Sequence, residues 1–228
     1  MPGQCFSASV KLLEGYRGRD KIIRTASYVA CLAGGLTESN QALSTKFLTI
    51  TAELNACRMI LRLFDDMSML AYTLSYGWGK KEKDQVLRVM NLLSNLVNQA
   101  FFPIEHIAWA AQKGLISANA SPWLIRSLVT WIISLCLSIL RSFWNIAHAR
   151  SKYFLAKKSD TEGKVNKSMV VNTYKAELVT IAQNATNLGM AIHWLPGNQL
   201  WSGKLSNTAV GVLGIVSSSI GLVKLMSS

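Results

Sequence analysis

The chain has 228 residues, of which 50% are apolar and 16% charged, with a positive mean hydropathy and a net charge of +12. That balance excludes a disordered or collagen-like chain and fits one or two compact units of mixed soluble and membrane character. The four cysteines, Cys5, Cys31, Cys57 and Cys136, lack the paired spacing of a disulfide framework and read as reduced structural thiols.

The first predicted element, Ser9 to Ala33, carries Val10, Leu12, Leu13, Tyr16, Ile22, Ile23, Ala26 and Val29 on one side and Lys11, Arg17, Arg19, Lys21 and Arg24 on the other. A basic amphipathic helix of this kind either lies in a membrane interface or packs on neighbouring helices, and periodicity fits both. In the interfacial reading Arg17, Arg19, Lys21 and Arg24 face headgroups, while Ile22, Ile23, Ala26 and Val29 face acyl chains. The next helix runs through Phe47, Ile50, Leu54, Cys57, Leu61 and Phe64, with Met67 and Ala71 continuing its apolar face. Asp65 and Asp66 diverge by about 100 degrees on a helix, which suits a local salt bridge to Arg62 or Arg58 better than acid/base work. A glycine turn, Tyr76 to Gly79, leads to a third run, Val86 to Ala100, expected to lie antiparallel to the second. Pro103 is expected to break or kink that run before Ile104 to Gln112 resumes.

Trp123 to Trp144 is predicted to cross a membrane. Its uncharged stretch, Ser127 to Leu140, is short, but Arg126 and Arg141 can snorkel to headgroups, and the two tryptophans stand roughly 31 Å apart, at the two interfaces. Between Arg141 and Lys175 eight basic residues face only Asp160 and Glu162. Beside a span, such a segment is drawn to anionic phospholipid by about 1 kcal/mol per basic residue. No RNA-binding or zinc-finger pattern accompanies the charge, so nucleic acid is not an expected partner. Tyr174 to Ile192 is helical through Leu178, Ile181, Ala185 and Leu188, and His193 to Gly197 stops it, with Trp194 and Trp201 flanking the break. Leu205 to Val223 contains no ionisable group and is the second predicted crossing. Its Gly214, Ser217, Ser218 and Gly221 form small pairs four residues apart, suited to close helix packing in lipid.

The predicted class is all-α. An amphipathic helical region, 1–122, precedes a transmembrane helix at 123–146, a basic linker with an amphipathic helix at 147–203, a second transmembrane helix at 204–224 and a short tail. No secretory signal is visible at the start. Chemistry has little foothold. Glu105-His106 and His193 are not part of an HExxH or clustered ligand motif, and no GxxxxGK[ST], GxGxxG or GxSxG element occurs. The expectation is a protein without catalytic residues, metal or cofactor.

Four ordered strings carry a resemblance: Leu13-Glu-Gly-Tyr-Arg-Gly-Arg-Asp20, Cys57-Arg-Met-Ile-Leu-Arg-Leu-Phe-Asp-Asp66, Pro103-Ile-Glu-His-Ile-Ala-Trp-Ala110 and His193-Trp-Leu-Pro196. Together, over nearly the whole chain, they resemble the peroxin-eleven family of peroxisomal membrane peroxins, in its gamma branch. The resemblance implies a multi-pass peroxisomal membrane protein that elongates and divides the organelle. It also implies oligomers with itself and with sister peroxins, recruitment of a fission adaptor and a dynamin-related GTPase, and delivery by the peroxin-19 receptor. In some members the membrane-bending helix matches the third run, which makes Val86, Met90, Leu93 and Val97 a second candidate face. The resemblance places both termini in the cytosol, whereas the positive-inside rule places the basic linker there. A competing reading is an oligomeric pore or metabolite channel, lined by Asn207, Thr208, Ser217 and Ser218.

Overall fold

The computed structural model describes residues 12–158, 167–197 and 200–227, together with Ser7 and Val10. Over those residues every regular element is a helix: α1 Tyr16–Leu36, α2 Gln41–Arg62, α3 Asp66–Tyr76, α4 Gln85–Gln112, α5 Ala120–Lys158, α6 Lys167–His193 and α7 Asn207–Met226. Side-chain caps set several starts. Asn40 accepts from the Leu43 N–H, Asp84 from those of Val86 and Leu87, and Ser206 from that of Ala209.

The predicted second helix is two. α2 ends at Arg62, and a turn through Leu63 to Asp65 separates it from α3. Asp65 and Asp66 do not take the local arginines. Arg58 donates to Asp20 of α1 at 2.8 Å, and Arg62 makes a two-pronged pair with Glu105 of α4 at 2.6 and 3.1 Å. A partner brought by tertiary packing outcompetes one that merely lies close in sequence. The break expected at Pro103 is absent, because α4 continues through it to Gln112. α5 is tied along α4: Ser134 donates to Asn98 at 2.7 Å, Arg141 to Asn91 at 3.2 Å and the Trp144 indole to Asp84 at 2.8 Å. α5 itself runs on to Lys158, well past the predicted span. Asp160, Glu162 and Lys164 of the basic segment lie outside the described residues, as do Cys5 and Lys11.

The N-terminal helices do not form a bundle apart from the spans. α1 lies antiparallel to α7, and small residues let the two backbones approach. A Cβ on Gly211 would stand 2.6 Å from the Leu32 nitrogen, one on Gly214 would stand within the Tyr28 ring, and Gly35 meets the backbone of Thr208. α6 also packs on α7, and α5 joins α6 through Asn184 on Ser138 at 2.8 Å and Asn145 on Glu177 at 2.7 Å. α2 flanks α1, and the Arg62–Glu105 pair closes the circuit back to α4, with α3 resting on α4.

Candidate membrane-contact surface

Among the described residues polar side chains are as prominent in the interior as apolar ones, and many large apolar side chains stand outside. Buried positions include Ser27, Asn95, Glu105, Ser142, Asn187, Ser217 and Ser218, while Val29, Ile133, Leu140, Phe143, Val212 and Val216 stand on the outside. Water would penalise that outer surface, whereas hydrocarbon accepts it and makes internal hydrogen bonding obligatory. Among the described residues two helices are long and apolar enough to cross a membrane: α5 within Ala120–Leu155, and α7.

The four basic residues read as one face of α1 separate into two pairs. Arg17 and Arg19 are exposed. Lys21 lies beside Gly221, and Arg24 turns between α6 and α7, where its Nη2 donates to Asn187 Oδ1 at 2.6 Å and Ser217 Oγ at 3.2 Å. Lys21 and Arg24 are therefore not free headgroup contacts, because α1 has helices on more than one side. Among the apolar partners Val29 is exposed and Ile22 and Ile23 are half-buried. On α4 the outward stripe is Val86, Val89, Leu93 and Leu96, while Met90 and Val97 are half-buried.

Trp123 and Trp144 are both half-buried; Arg126 stacks over the Trp123 ring at 4.5 Å, and Trp144 is tied to Asp84. That indole N–H is the largest influence holding the Asp84 carboxyl below its ordinary range, with the Leu87 and Val86 N–H groups and nearby His148 acting the same way against some desolvation. Gly214, Ser217, Ser218 and Gly221 all face neighbouring helices. Ser217 donates to Asn187 at 2.6 Å, and Gly221 leaves room for Gln183.

Sequence reasoning missed α3. Phe64, Met67, Leu74 and Trp78 are 75, 69, 72 and 74% exposed, and the exposed Lys80, Lys81 and Lys83 follow directly. Read as the tail of a longer helix, Met67 and Ala71 only continued the apolar face of α2. The signal available was the aromatic and apolar run ending in Trp78-Gly-Lys-Lys, the composition of an interfacial anchor. Among the described residues no group of three or more His, Cys, Asp or Glu is placed to hold a metal ion.

Residues 6–226 match the family described as Peroxisomal biogenesis factor 11 (PEX11). The chain belongs to that family. It is 35% identical to Peroxisomal membrane protein 11C of Homo sapiens over 95% of this chain and 92% of that one. It is 34% identical to the Mus musculus protein of the same name, over 90% and 88%, and 25% identical to Peroxisomal membrane protein 11A of Rattus norvegicus, over 95% and 94%. No solved structure matches the chain. In this PEX11 chain three of the four strings that carried the resemblance are joined by ion pairs, and the fourth packs on α5. Asp20 of the first pairs with Arg58 of the second, Arg62 of the second pairs with Glu105 of the third, and Trp194 of the fourth stacks on Trp131 of α5 at 6.2 Å.

Proposed function

We propose that this chain is an integral protein of the peroxisomal membrane that bends one leaflet and so promotes elongation and division of the organelle. The observation that carries the reading is the pairing of an apolar-sided, polar-cored helical body with a protruding wedge, α3 and Trp78, ending in lysines. The body anchors in hydrocarbon. The wedge adds area to one monolayer only, and its lysines are drawn to anionic phospholipid. Copies of the chain, or sister members of the family, sum many small wedges. The fission adaptor, the dynamin-related GTPase and the peroxin-19 receptor are partners proposed from the family resemblance, as is the cytosolic placement of both termini.

The pore reading finds less support. Ser217 and Ser218 are buried between helices and Thr208 abuts Gly35, so three of its four lining candidates are occupied in helix packing. Purified protein reconstituted on liposomes rich in anionic phospholipid tests the proposal by electron microscopy. The wild-type chain is expected to draw out tubules, and Leu74→Glu with Trp78→Glu to leave spheres. Tubules of equal number from both proteins would refute the wedge.

A further inference from the structure

Between the helices lies a half-open pocket of about 620 Å³, with Arg24 and Tyr28 of α1, Arg58 and Arg62 of α2, Glu105 of α4 and Trp131 of α5 on its walls. Its charges do not balance. Arg58 has Asp20 and Arg62 has Glu105, but among the described residues no carboxylate lies within ion-pair distance of Arg24. The Arg24 Nη2 is satisfied by neutral Asn187 and Ser217, while its Nε is buried without a hydrogen-bond partner. Arg24 stands opposite Ser217, near the middle of α7, where an uncompensated guanidinium in a membrane-embedded body is costly. The rest of the lining is mixed: Phe101, Leu124, Leu128 and Trp194 give apolar surface, and Asn98 and Ser134 give neutral polar surface.

A guanidinium with no carboxylate partner beside aromatic and aliphatic walls matches an acidic head joined to an apolar chain. We propose that this cavity holds one anionic lipid, its phosphate on Arg24 and its chain against Leu128, Phe101 and Trp131. This site is internal and separate from the surface attraction of Lys80, Lys81 and Lys83, so either can be lost while the other stays.

The test is native mass spectrometry of the full chain in an uncharged detergent, titrated with lysophosphatidate, with monoacylglycerol of the same chain length, and with inorganic phosphate. The wild-type chain is expected to bind one lysophosphatidate and neither of the others. Arg24→Gln should weaken that binding about tenfold or more, the order set by one charge-assisted hydrogen bond. Leu128→Trp, which fills the cavity and leaves the Arg24 contacts in place, should do the same and covers the case in which Arg24→Gln fails to fold. Undiminished lysophosphatidate binding in Leu128→Trp, or in a folded Arg24→Gln, overturns the proposal. Displacement of the lipid by inorganic phosphate alone overturns it too, by assigning Arg24 to a soluble anion.

Discussion

Gly214 and Gly189 show how far the value of a glycine depends on what faces it. A methyl at Gly214 meets the Tyr28 ring, so Gly214→Ala is expected to cost about 1–3 kcal/mol by overpacking. At Gly189 the nearest neighbour of a new methyl is the Leu213 side chain at 3.8 Å, so Gly189→Ala should gain up to about 1 kcal/mol of helix propensity. Thermal midpoints in detergent should move in opposite directions. Asp84 gives the pH dependence. Its native carboxyl is held below the ordinary value, so the stability it contributes is fully present above that value and is lost as pH falls through the depressed native one. Thermal midpoints followed from pH 6 downward should therefore drop more in the wild-type chain than in Asp84→Asn. Four-residue spacing made Gly214 and Ser218 legible as packing positions, but Gly35 was not, since its partner lies across the chain in Thr208. The basic residues of α1 were read as a set because periodicity reports one face of a helix and says nothing of a second neighbour.

Elements were legible where a strong local signal acts alone. The apolar run of α7 and the glycine turn ahead of α4 are of that kind. Where tertiary contacts compete, local signals misled: Pro103 sits inside an unbroken α4, and Arg62 reaches Glu105 rather than an adjacent aspartate. The Arg62–Glu105 pair is the polar link between α2 and α4, and both side chains are mostly shielded from solvent, at 27% and 6% exposure. Glu105→Gln strands the guanidinium and is expected to cost about 3 kcal/mol, read as a lowered thermal midpoint. α3 was hidden by its continuity with the apolar face of α2, although a turn at Leu63 to Asp65 directs it onto α4. Arg17→Glu with Arg19→Glu alters charge at two exposed positions without disturbing the interior. Flotation assays should show weaker binding to anionic liposomes and unchanged binding to neutral ones.

At the scale of the whole molecule, composition announced a membrane and the four motif strings announced the family, but neither revealed that α1 travels with α7. Because α1 runs antiparallel beside α7, through Tyr28 on Gly214 and Leu32 on Gly211, it shares the depth of α7 instead of lying apart on the surface. The same packing accounts for part of the polar interior: the Arg24 Nη2, Asn187 and Ser217 hydrogen-bond one another where lipid offers no partners. The account rests on hydrocarbon being the medium around the bundle. Alkaline carbonate treatment of membranes containing the untagged chain, followed by centrifugation, tests this most directly. Retention of the chain in the pellet is predicted, and its release into the supernatant would contradict the account.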